Sequence, residues 1–141
     1  MLVTRPKRSS VVLAAASFLR MPSSSAASNC CSWSFHCNRI ARFCSAVSSL
    51  DSVFVTFAAH EVRDTAGQRA LFTTMGRALR PGGQLIVTEH PRDAANFAVY
   101  GPGALHFQPL ATWHARAAEA GLTQTGQMSI TPFVKQVVFR R

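Results

Sequence analysis

Histidines and carboxylates cluster at two points of the chain. His60, Glu61 and Asp64 form one group, and Glu89, His90 and Arg92 form the other. An imidazole beside a carboxylate suits general acid–base chemistry. The carboxylate orients the ring, and the ring takes a proton from a hydroxyl or positions that hydroxyl. His106 is a third imidazole, with no partner legible near it in sequence. Each residue also has a plainer reading. His60 and Glu61 suit a loop ahead of a helix, with Asp64 as a cap. Arg92 beside Asp93 reads as a surface pair, and His106 beside Phe107 as a packed or surface ring. Tyr100-Gly101-Pro102-Gly103 reads first as a turn and only then as a substrate lid. Cys30, Cys31, Cys37 and Cys44, with His36 among them, contain no Cys-x-x-Cys pair, so no metal site is expected. A disulfide framework is unsupported without a clear secretory signal.

The elements around these groups alternate between strand and helix. Ser52–Phe57 is a β-branched and aromatic run, apolar on both faces, as in a covered parallel sheet. A helix follows from Asp64 or Thr65 to about Leu79. Its apolar stripe is Ala66, Ala70, Leu71, Met75, Ala78 and Leu79, with Arg77 and Arg80 at its dipole end. Pro81-Gly82-Gly83 stops it, and Gln84–Glu89 is a second buried strand. Strand, crossover helix and strand make a βαβ unit with parallel strands. This places both His/carboxylate groups just past strand ends, where open α/β sheets bind ligands. Residues 91–103 read as loop. A second helix starts at Pro109 and stops at Ala120-Gly121, turning Leu110, Trp113, Ala117 and Ala118 to the sheet. Leu122–Met128 and Phe133–Phe139 are strands of a closing antiparallel hairpin.

The chain has 141 residues, with 48% hydrophobic and 15% charged, which excludes a wholly disordered protein. Its longest apolar run, Val11–Leu19, is too short to cross a bilayer but long enough for two helical turns. Fifteen Lys and Arg against six Asp and Glu give +9. Six of those basic residues, and no acid, lie in residues 1–50, so the charge belongs mainly to that segment. Residues 51–141 carry +3 and no basic stripe interleaved with aromatics, so no specific nucleic-acid partner is expected. All four Cys lie before residue 51 and all eight Gly after residue 50. This break divides the chain into 1–50, low in order, and 51–141, a folded unit. Three readings compete for 1–50. An acid-free Arg/Ser-rich composition suits a mitochondrial transit peptide, and Val11–Leu19 with Ala26-Ala27-Ser28 suits a secretory signal. The third, which we prefer, is an unselected reading frame joined to a real domain.

The run Leu79-Arg80-Pro81-Gly82-Gly83-Gln84-Leu85-Ile86-Val87 resembles the helix-to-fifth-strand segment of class I S-adenosylmethionine-dependent methyltransferases. Asp51–Phe57 then resembles that family's fourth strand, and the last two strands its sixth and seventh. Phrases such as Ala59-His60-Glu61-Val62-Arg63-Asp64 and Ile130-Thr131-Pro132-Phe133 are similar to a bacterial subgroup. The resemblance covers 51–141. It implies an incomplete Rossmann-like α/β sheet: a βαβ unit, a helix and a terminal hairpin, preceded by a mostly irregular segment. It also implies methyl transfer from S-adenosylmethionine to a small-molecule acceptor in the cytoplasm, or in an organelle if residues 1–50 are a transit peptide. The family holds its cofactor with a Gly-rich turn after its first strand and an acid after its second. Residues 1–50 contain no Gly, Asp or Glu, so no cofactor-binding residue is assigned. The expectation is a truncated enzyme, or an inactive remnant or interaction module. Its catalytic residues are unassigned, and His60, Glu61, Asp64, Glu89, His90, Arg92 and His106 are its substrate-side candidates. Without the family's first strand, Ser52–Phe57 would be an exposed edge prone to self-association.

Overall fold

The computed structural model describes the backbone of residues 10–14 and all of residues 48–141. Five strands form one sheet in the order β1-β2-β3-β5-β4. They are β1 (Ser10–Ala14), β2 (Leu50–Thr56), β3 (Leu79–Glu89), β4 (Thr123–Ser129) and β5 (Lys135–Arg140). Strands β1, β2 and β3 are parallel, whereas β5 runs antiparallel to both β3 and β4. The βαβ unit and the closing hairpin are therefore present as the sequence implies.

Helix α1 (Thr65–Ala78) crosses from β2 to β3. Asp64 is its N-cap, accepting from the Gly67 amide at 2.6 Å. Phe72, Met75 and Ala78 face the sheet, with Gln68 and Gly76 on the same side. Ala66 and Ala70, expected on that stripe, are exposed. The bulk of Phe72 accounts for the rotation, since a phenyl ring gains far more from burial than a methyl group. Helix α3 (Leu110–Glu119) buries Trp113 and Ala117 but leaves Ala118 exposed. Phe72 and Trp113 stack at 6.1 Å, joining the two helices over Val53, Val55, Leu85, Val87, Val137 and Phe139. The opposite face of the sheet carries Phe54, Ile86 and Val138 in one cross-strand row, all half-buried.

Three expectations change. Residues 91–103 are not all loop: helix α2 (Ala94–Tyr100) forms there, followed by a 3-10 segment, Gly101–His106. Asp93 caps α2 through the Asn96 amide, at 2.9 Å. Second, Ser10–Ala14 is extended rather than helical, as its β-branched Val11 and Val12 favour. The rest of the 11–19 run, and all four cysteines with His36, lie outside the described residues. Third, β2 is not an open edge. Strand β1 pairs with it from Ser10↔Ser52 to Ala14↔Thr56, so among the described residues β1 is the outer strand on that side. No helix among the described residues is long and apolar enough to cross a membrane.

Candidate functional site

The parallel register of β2 and β3 places Thr56 opposite Thr88. The chains leaving the two strands therefore start side by side. Phe57 takes a left-handed backbone, φ 50°, with its amide bonded to Thr88 O at 3.0 Å. A phenylalanine in that region is strained, and the strain buys a sharp exit from the strand. The exit leads into a short 3-10 turn, Ala59–Glu61, set against Glu89, the last residue of β3.

Glu89 is 2% exposed and holds this turn in place. Its Oε1 accepts from the amides of Ala58 at 2.8 Å and Ala59 at 2.7 Å. Its Oε2 lies 2.6 Å from His60 Nδ1. A carboxylate can only accept, so Nδ1 carries the proton, and in the neutral ring Nε2 holds a lone pair. That Nε2 lies 3.3 Å from Glu61 Oε1. Burial alone would lower the pKa of His60. The hydrogen bond and the negative charge of Glu89, with a further contribution from Glu61, outweigh burial and raise it above the ordinary histidine value.

His106 arrives from the end of the 3-10 segment Gly101–His106, edge-on to His60 at 5.3 Å between ring centroids. Its Nε2 is 3.8 Å from Glu61 Oε1, and Arg63 lies against its Nδ1. Arg92 fastens this loop. Its Nε donates to Phe107 O at 2.8 Å and its Nη2 to Leu105 O at 3.0 Å. His90 turns to the other side of Glu89's strand end. It is sandwiched between Phe57 and Phe107 at 5.0 and 5.1 Å and donates Nδ1–H to Phe133 O at 3.0 Å.

Of the seven candidates, His60, Glu61, Glu89 and His106 converge. His90 sits behind them in an aromatic wall, Arg92 positions the loop that carries His106, and Asp64 caps α1 away from the cluster. Sequence reasoning missed the wall itself: Phe57, Phe107 and Tyr100, whose ring meets His90 and Phe107 edge-on. It also missed Asn96, which is fully buried and donates to Asp93 and to Phe133 O, each at 3.0 Å. An Asp three residues before a polar Asn was the available signal, since that spacing is an N-cap pattern.

No protein-family model and no curated protein matches the sequence. Solved structures do match in fold. An S-adenosylmethionine-dependent methyltransferase from Aquifex aeolicus superposes with a TM-score of 0.55 at 14% identity, over 66% of this chain and 46% of its own. An O-methyltransferase family 2 protein from Planctomyces limnophilus, in complex with apigenin, gives 0.56 at 14% identity, over 64% and 30%. A methyltransferase from Mesorhizobium loti gives 0.52 at 16%, over 67% and 64%. This chain thus spans less than two thirds of the length of each protein. Over about two thirds of its own length it has the fold of the class I S-adenosylmethionine-dependent methyltransferases, in partial form.

Proposed function

We propose that this chain forms the acceptor side of an S-adenosylmethionine-dependent methyl transfer, with a small-molecule hydroxyl as acceptor and His60 as the group that takes its proton. The carrying observation is the 2.6 Å contact between His60 Nδ1 and buried Glu89, which leaves the Nε2 lone pair free of that bond just past the carboxyl ends of β2 and β3. A hydroxyl oxygen placed against Nε2 becomes more nucleophilic as its proton moves to the ring, and Glu89 stabilises the imidazolium that forms. Holding the acceptor in line with the donor supplies the remaining acceleration. The small-molecule class is supported by the apigenin complex of the Planctomyces protein, which shares the fold.

The donor's usual cradle does not fit the residues present. Strand β1 takes the place beside β2, and Ala15-Ala16-Ser17 follow it in sequence where a Gly-rich turn would be needed. Residues 1–50 supply no acid for a ribose either. No step is therefore drawn through the donor. The same lack favours a second reading, a non-catalytic interaction module built on this half of the fold.

The test is a calorimetric titration of the folded chain with S-adenosylmethionine and its demethylated product, followed by transfer assays on a panel of small phenols and alcohols. Saturable donor binding, and product formation that His60→Gln reduces by about 100-fold or more, supports the methyl-transfer reading. A folded chain that neither binds the donor nor forms product supports the second reading.

A further inference from the structure

Three atoms from two separated segments meet in front of the β2 and β3 ends: His60 Nε2, Glu61 Oε1 and His106 Nε2. The carboxylate oxygen is 3.3 Å from the first nitrogen and 3.8 Å from the second, and one ligand atom from each residue can be chosen with all three within 4.8 Å of one another. Ligands held at about 2.0–2.2 Å from one tetrahedral ion stand about 3.4 Å apart. Glu61 Oε1 already stands at about that distance from both nitrogens.

We infer that His60, Glu61 and His106 form a binding site for a divalent transition-metal cation of the zinc type. Two imidazoles and one carboxylate are a donor set for zinc, with an open position left for water or a ligand. Magnesium and calcium prefer oxygen donors and are excluded by the two nitrogens.

The surroundings are built for such a site. A metal-binding histidine usually gives its other N–H to a carboxylate, which fixes the tautomer and strengthens the ligand. Buried Glu89 does this to His60, with its second oxygen locked on two backbone amides. The ring therefore cannot turn away without breaking its bond to a carboxylate that is itself fixed in place. Glu61 and His106 are more open, with side chains 45% and 36% exposed, so an ion can reach them from solvent. Arg63 is an opposing group. It lies against His106 Nδ1, and the ring then carries its proton on Nε2. Arg63 is exposed and must swing outward as the cation enters. Cation and proton compete for the same lone pair of His60, so a bound ion and a free base at Nε2 are exclusive states of one pocket. The inference goes beyond the methyl-transfer reading and stands without it, because ion binding needs neither donor nor acceptor.

The experiment is a titration of the full chain with zinc alone, after chelator treatment, in a background where Cys30, Cys31, Cys37 and Cys44 are all replaced by Ser. Free thiols are soft zinc ligands, and their removal confines the signal to nitrogen and oxygen donors. The expected result is one zinc per chain. Affinity should fall by tenfold or more in His106→Ala and in Glu61→Gln, both partly solvent-facing positions whose variants should keep the wild-type circular dichroism. Glu89→Gln should weaken binding by about 10–100-fold through the ring it orients. The inference is overturned if the folded, cysteine-free chain binds no zinc, or if His106→Ala and Glu61→Gln leave its affinity unchanged.

Discussion

Glu89 carries three donors on two oxygens, so its removal leaves two backbone amides and an imidazole without partners in a dry place. Each buried donor left unpaired costs about 1–3 kcal/mol. Glu89→Ala should therefore lower the unfolding free energy by about 3 kcal/mol or more in urea. Glu89→Gln keeps an acceptor oxygen for the two amides and should lose clearly less. Equal losses would mean that the amide bonds are not what Glu89 contributes. The His60 partner makes this stability depend on pH. Its pKa in the fold is raised above the unfolded value of about 6.5, so the folded state binds the proton more tightly. That stabilisation is complete below the unfolded pKa and is lost as pH rises through the folded one. In the metal-free chain, the stability gap between wild type and His60→Gln should be wider at about pH 5.5 than at about pH 9. A gap that widens with pH would reverse the assigned balance between burial and the Glu89 charge.

At the scale of elements, the junction between α1 and β3 shows how a short sequence phrase dictates geometry. Leu79 pairs with Leu50 and Gln84 with Ser52, so Arg80-Pro81-Gly82-Gly83 is pushed out of the ladder. Gly82 sits at φ 79° with open space around it, whereas a Cβ on Gly83 would stand 2.9 Å from Arg80 O and 3.0 Å from Leu50 O. Gly82→Ala should cost about 1–2 kcal/mol through backbone strain alone. Gly83→Ala should cost about 1–3 kcal/mol by crowding two backbone carbonyls that cannot both yield. Equilibrium denaturation checks both, and a neutral Gly83→Ala would contradict the close approach. This junction was legible in the sequence, as were β2 to β5, α1 and α3, because each has a strong period or a strong stop. Helix α2 was not. Its Phe97, Val99 and Tyr100 face solvent, so it has no inward stripe, and Pro91 and the Gly-Pro-Gly at 101–103 bracket it with loop signals. The site was legible in part for a related reason. Strand ends placed His60 and Glu89 near one another, but contact between them depends on the β2/β3 register and on the strained turn at Phe57. His106 reaches the site only through the loop that Arg92 holds, a long-range arrangement with no local pattern to reveal it.

For the whole molecule, the question is how so little chain keeps its sheet from pairing with other copies. Strand β2 is the exposed position in the sequence reading, with apolar residues on both faces and a free backbone row. In the fold, Ser10–Ala14 supplies that row with a partner along five positions. The same register pairs Val12 with Phe54, which pairs in turn with Ile86 of β3. A short strand at the end of a basic segment is a sound edge, because charge nearby opposes the approach of another copy. Arg5, Lys7 and Arg8 stand just ahead of it in sequence. Removing residues 1–14 therefore takes away both the covering strand and the three basic residues that precede it in sequence, and uncovers five residues of β2. Sedimentation velocity should show the shortened chain shifting to larger species than the full chain at equal concentration. Restoring those residues with Val11 and Val12 changed to Gly separates the two effects, since the three charges return while the β-branched residues that favour the strand do not. If that variant still associates, strand cover protects β2; if it behaves like the full chain, charge repulsion is sufficient. A shortened chain that sediments like the full one would mean that β1 does not shield the sheet at all.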